Sequence, residues 1–331
     1  MNIGVRKRTV SPRAMQGLSL IEMMIAMVLG LLVVGAAIGI FLSNRQVYRA
    51  TEGVGRLQEN ARVAFELMAR DVREAAGNPC VNNLPVANVL NSPASSWWSD
   101  IDQWGRAVQG YAAGEELPGG TGTLTQVAGT EALLLMSGDN NVVTVSAHDP
   151  ASFIFTVNTN NHGFREGDLA VACNARQASI FQVSAVGTNT ISHGAGGTPG
   201  NCTANLGLPA ACGGGAAYQF SPQDSMLVRL NASRWFIANN PAQRPALYQA
   251  KYIAGSVVNQ EVAEGVTGMT IGYLLAGAAD YVDVAGVGNN WANVVALRID
   301  LLLESPDRIG SDGRPISRHI IQVASLRNRN P

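Results

Sequence analysis

Glu22 is the one charged side chain between Arg13 and Arg45, and it stands at the head of the uncharged run MMIAMVLGLLVVGAAIGIFL, residues 23–42. An ionised carboxylate at such a depth costs about 1–3 kcal/mol, depending on how far it sits from water. Its chemistry is that of an anion in an apolar surround, which calls for a cation. A side chain that simply reaches water at the interface is the plainer alternative.

The other reactive side chains are few. Cys80, Cys173, Cys202 and Cys212 form no C-x-x-C pair, which disfavours structural zinc. An even count in an exported chain favours two disulfides, and four cysteines allow three connectivities. Cys202 and Cys212 bracket one Gly-rich loop, which favours their pairing and leaves Cys80 for Cys173. His148, His162, His193 and His319 show no metal-ligand spacing. Neither a G-x-S-x-G elbow nor a phosphate-binding loop occurs. The expectation is a chain with no catalytic residues, no metal and no cofactor.

These residues must be positioned by the elements around them. The basic leader carries Arg6, Lys7, Arg8 and Arg13, and the apolar run that follows is long enough to cross a bilayer as a helix. Basic charge before it orients the N-terminus to the cytoplasm and the bulk of the chain to the far side. The segment reads as a signal peptide cut after the run, as an uncut anchor, or as a signal cut before the run; only the last gives Glu22 a use. Gly35 and Gly39 form a G-x-x-x-G, which permits close helix packing or loosens the helix. Beyond 42 the pattern turns amphipathic, with Val47, Ala50, Val54, Leu57, Ala61, Ala64, Met68, Val72 and Ala75 on one stripe. Gly77-Asn78-Pro79 stops the helix, which is expected over 18–76.

The remaining chain reads as β-structure with long loops. Among 331 residues, 47% are hydrophobic, only 14% are charged and 36 are Gly. The formal net charge of −1 gives no reason to expect a nucleic-acid partner. Strand-like runs fall at 132–136, 142–145, 153–157, 169–173, 180–186, 226–230, 234–237, 266–274, 294–303 and 319–326. Residues 80–129, with Trp97, Trp98 and Trp104, read as irregular structure packed over the core. Residues 186–217 read as a low-complexity loop unable to build a core.

The residues Gly17-Leu18-Ser19-Leu20-Ile21-Glu22, after a basic leader and before an apolar helix, resemble the type III signal of type IV prepilins. The resemblance implies cleavage by a prepilin peptidase between Gly17 and Leu18 and N-methylation of Leu18, where the family usually has Phe. It implies that Glu22 meets the N-terminal ammonium of a neighbouring subunit and sets axial register; pairing with its own terminus at i, i+4 is the geometric alternative. Further on, Leu247-Tyr248-Gln249, the run from Val262 to Tyr273, Tyr281-Val282, Trp291, the run from Val294 to Ile299, and Ala324-Ser325-Leu326-Arg327-Asn328-Arg329 are similar to PilW-type minor pilins.

That family implies an α+β lollipop, a long N-terminal transmembrane and amphipathic helix packed on an antiparallel β-sheet domain with long loops. Residues 1–17 are then a cytoplasmic leader, 18–42 the transmembrane half of the helix, 43–76 its amphipathic half and 77–331 a periplasmic or extracellular domain. The implied role is to prime pilus assembly at or near the tip of a filament of the kind that serves cell adhesion and twitching motility. Implied partners are the prepilin peptidase, other minor pilins, the major pilin, the inner-membrane assembly platform and a tip adhesin. A type II secretion minor pseudopilin and a membrane-anchored periplasmic adhesin are the competing readings.

Overall fold

The computed structural model describes residues 19–81, 84–305, 308, 310 and 313–329. Helix α1 covers Leu20–Glu74, and the chain divides into two compact units, Met1–Glu52 and Gly53–Pro331. The first unit, where described, is helix whose apolar side chains from Leu20 to Leu42 are exposed.

In the second unit the buried face of α1 is Gly53, Leu57, Ala61, Ala64, Phe65, Met68 and Val72. This follows the expected stripe from Leu57 onward and adds Phe65. The helix ends two residues before the expected boundary, because Ala76 takes a left-handed φ of 58° and its N–H donates to the Met136 carbonyl at 2.8 Å. The chain after the helix is thereby sewn to the sheet.

Sixteen strands follow among the described residues. β1 is Val86–Asn88, β2 Val108–Tyr111, β3 Ala132–Gly138, β4 Val143–Asp149, β5 Ile154–Val157, β6 Leu169–Cys173, β7 Ala178–Gln182, β8 Ala185–Val186 and β9 Thr190–Ser192. Then come β10 Met226–Asn239, β11 Pro245–Ile253, β12 Ser256–Glu264, β13 Val266–Leu275, β14 Tyr281–Val282, β15 Val294–Glu304 and β16 Ser317–Ser325. Apart from the parallel β1–β7 contact, the pairings are antiparallel.

Two sheets result. β10 organises the larger: its later half pairs with β3 and β11, its first residues with β4 and β6. β3 and β10 pair from Gly138↔Leu230 to Leu133↔Trp235, so residues 139–225 are a lobe inserted into a hairpin. The smaller sheet runs β14-β13-β15-β16.

Alternation along the strands explains why so many are apolar throughout. Leu133, Leu135, Trp235, Ile237 and Leu247 face the core shared with α1 and with Met269, Ile271, Leu297 and Leu301 of the smaller sheet. Their neighbours Leu134, Met136, Phe236, Tyr248 and Tyr252 face a second core under residues 84–117. A sheet buried on both faces loses the apolar–polar alternation that marks a one-sided strand.

Trp97, Trp98 and Trp104 are buried in that second core. Arg234 is buried beside them. Its guanidinium lies 4.7 Å from the Trp97 ring and donates to the Pro118 and Gly120 carbonyls, and burial lowers its pKa to about 10.

Gly265 passes the chain from β12 in one sheet to β13 in the other. Its φ is +82°, and a Cβ there would stand 2.7 Å from the Glu304 carbonyl oxygen. Its N–H donates to Pro245 and its carbonyl accepts from Glu304 N, which ties both sheets to one residue.

The inserted lobe has its own core of Val143, Phe155, Phe181, Ile191, Leu206 and Phe220. Residues 186–217 therefore do contribute to a core, against the sequence expectation. Ile191 and Leu206 are buried, and Asn201 exchanges hydrogen bonds with the Gln182 backbone at 2.7 and 2.8 Å. Side-chain amides replace apolar content that composition could not reveal. Disulfides Cys80–Cys173 and Cys202–Cys212 close; the first ties the chain after α1 to β6, and the second lies within the lobe.

Candidate assembly site

The head of α1 is built by Ser19 and Glu22. Ser19 Oγ accepts from the Glu22 N–H at 3.2 Å, satisfying one of the free donors at a helix start. Ser-x-x-Glu is the capping-box pattern, and an acid in the first turn also complements the helix dipole. The spacing is readable in the sequence, and the bond engages the backbone N–H of Glu22 rather than its carboxylate. Gly17 and Leu18 lie outside the described residues. A Cβ placed at Gly35 or Gly39 would meet nothing within 4 Å. The apolar part of α1 is long and apolar enough to cross a membrane.

The other end of α1 is seated by polar contacts that the hydrophobic stripe does not disclose. Asp71 Oδ2 accepts from three side chains on two strands: Ser233 Oγ at 2.8 Å, Trp235 Nε1 at 2.9 Å and Gln249 Nε2 at 2.6 Å. The signal available for it is an acid next to Val72 of the apolar stripe, off the charged outer face. Past Asp71, the last carbonyls of the helix have no intrahelical donors. Asn328 Nδ2 reaches those of Glu74 and Ala75, and the Trp104 indole donates to that of Ala76 at 2.8 Å. Arg329 donates to the carbonyls of Trp291, Val294 and Gly105, and burial lowers its pKa to about 10.

The histidines are dispersed. His162 Nε2 contacts the Gly187 carbonyl oxygen at 3.1 Å, and His319 pairs with Asp300 at 3.1 Å. His148 and His193 meet each other in the inserted lobe. Among the described residues, no group of three or more His, Cys, Asp or Glu could hold a metal ion. What the geometry provides is a capped helix with one acid at its head, and a second unit that grips the helix end through Asp71, Asn328 and Trp104.

Residues 12–38 match the prokaryotic N-terminal methylation motif, and residues 234–324 match the family model of the type IV pilus-assembly protein W. The two matches support reading the chain as a PilW-type pilin. No curated protein and no solved structure matches it.

One matched stretch covers the head of α1, and the other covers part of the domain that holds Asp71. The methylation motif covers Gly17, Leu18, Glu22 and Gly35. The PilW match begins at Arg234 in β10 and runs through β11 to β15 into β16, so it includes Trp235 and Gln249, two of the three Asp71 donors. The inserted lobe lies outside both. The methylation motif and the apolar helix fit a pilin anchored in the inner membrane, with a C-terminal domain beyond it, that then enters the pilus. The matched family is structural and works in pilus assembly, and the two matches support a pilin-like role for the chain.

Proposed function

We propose that the chain is a PilW-type pilin that initiates pilus assembly and stays at or near the filament tip. The observation that carries the reading is the pairing of a methylation motif at 12–38 with a PilW match at 234–324 in one chain. In this reading the leader 1–17 is removed by the prepilin peptidase between Gly17 and Leu18, and Leu18 is N-methylated. Methylation keeps the ammonium positive. Glu22 of one subunit then receives the Leu18 ammonium of the next, a charge-assisted contact whose strength grows as water is excluded.

Residues 18–42 form the membrane half of the helix and 43–76 the amphipathic half. Gly35 and Gly39 offer a close-packing face, supported by the open space around both. The domain 77–331 contacts other minor pilins and the major pilin and presents the tip to an adhesin, while the assembly platform in the inner membrane extracts the helix. An initiator sets the number of filaments rather than their length. In cells that carry the assembly machinery, deleting this chain should cut the number of surface pili at least tenfold while leaving their length distribution unchanged, and gold labelling should mark one filament end. Labelling along the whole filament, or shortened pili at unchanged number, would refute the initiation role.

A further inference from the structure

His148 on β4 and His193, just after β9, are both buried, with Nε2 atoms 3.0 Å apart. Their protons are fixed by their neighbours. His148 Nδ1 accepts from the Phe220 N–H at 3.0 Å, so it carries no proton. His148 Nε2 is then the N–H donor, and His193 Nε2 the acceptor. The His193 proton must sit on Nδ1, which has no hydrogen-bond partner, although the Ala204 backbone lies near enough to favour its charged form slightly. The pair is walled by aromatic rings. His148 stacks on Phe155 at 4.0 Å and 12°, and Phe153, Phe181 and Phe220 pack on one imidazole or the other.

This arrangement has no place for another proton. On His193 it would set two Nε2–H groups against each other. On His148 it would set an N–H against the Phe220 N–H. Either way a charge would sit among phenyl rings with one hydrogen bond broken. We propose that the His148–His193 pair is an acid-sensitive lock on the inserted lobe, which holds β4 and β9 to the returning segment at Phe220 near neutrality and releases that seam, with its aromatic face, when the pair is protonated.

The groups packed around the pair do little to oppose this. Asp149, next on β4, is exposed and satisfied by Ser152 Oγ and Ala151 N. From the returning segment, Tyr218 packs edge-on against Phe220, and Gln219 donates to the His148 carbonyl. β5 and β7 contribute the rings of Phe155 and Phe181. Burial pulls the His148 pKa down to about 4, with Asp149 acting weakly against it, and burial followed by His148 pulls His193 down to about 3. Both folded values lie below the ordinary value near 6.5, so the lock is intact above about pH 6.5 and is lost as pH falls toward about 4. Proton uptake by His148 alone, with its closed value at about 4, raises the opening constant roughly 20-fold between pH 7 and pH 5, and release of His193 adds to it.

The test is hydrogen exchange of the full chain in detergent micelles, read at the Phe220 amide and corrected for intrinsic exchange. Protection at Phe220 should fall at least about 20-fold from pH 7 to pH 5, while that of Leu135 in the shared core changes far less. The double variant His148→Phe with His193→Leu, read at the amide of residue 193, which keeps its Phe153 carbonyl acceptor, should lose the pH dependence that the native chain shows there. Where that variant does not fold, titration of the histidine ring protons in the native chain decides: midpoints below pH 5 agree with the lock. Phe220 protection independent of pH, or ring midpoints near 6.5, would overturn it.

Discussion

Asn328 caps the helix that ends at Glu74, with its Nδ2 3.2 Å from the Glu74 carbonyl oxygen and 3.3 Å from that of Ala75. The two residues are 254 positions apart. The last described turn of the chain thus completes the hydrogen bonding of its first long element. Replacing Asn328 by Ala removes a donor shared by two helix-end carbonyls and should cost about 1 kcal/mol. In a domain of this size that lowers Tm by about 2–4 °C, measurable by thermal unfolding of the detergent-solubilised chain.

Asp71 carries a larger share of the helix seat. Asp71→Leu leaves the donors of Ser233, Trp235 and Gln249 without their acceptor. At about 1 kcal/mol or more for each stranded buried donor, the loss should reach about 3 kcal/mol. Asp71→Asn keeps an acceptor oxygen and should lose less than half of that. Urea midpoints with an unchanged slope would report both losses as stability alone.

The two disulfides should differ in weight. Cys80–Cys173 spans 93 positions and Cys202–Cys212 spans 10. In the chain-entropy account the longer loop contributes ~4–5 kcal/mol and the shorter ~2–3 kcal/mol. Paired Cys→Ser variants, compared by denaturant unfolding without reductant, should rank in that order.

Much of the fold can be read in the residues, and the misses share a cause. The helix, its stop at Gly77 and the strands around 132–138, 169–173, 266–275 and 294–304 follow from periodicity and breakers. Asn231 and Ser233 interrupt the apolar run of β10 and divide its pattern in two, yet Ser233 is held by Asp71. β11 and β12 emerge only through a family likeness. β12 is exposed along most of its length, so its Asn, Gln and Glu residues look like loop. The partners of Asp71 and of the lobe's Asn201 are hidden for the same reason: they lie far away in sequence, and no local pattern names them.

At the head of the helix, two roles for Glu22 can be separated. Glu22→Gln keeps a capping-box side chain but removes the charge. If Glu22 receives a neighbour's ammonium, Gln should reduce incorporation into pili at least tenfold while leaving the stability of the isolated chain unchanged. Leu18 N-methylation should proceed normally, since the cut lies before Glu22. Incorporation equal to wild type would rule out the intersubunit role of the Glu22 carboxylate.

The central claim is that the chain is a prepilin processed ahead of its apolar helix. Co-expression with and without a prepilin peptidase, followed by intact mass and sequencing of the N-terminal peptide, tests it most directly. The account predicts a mature form beginning at Leu18 with one added methyl group, present only with the peptidase. A cut after Ala37, or an uncut chain in both samples, would contradict it.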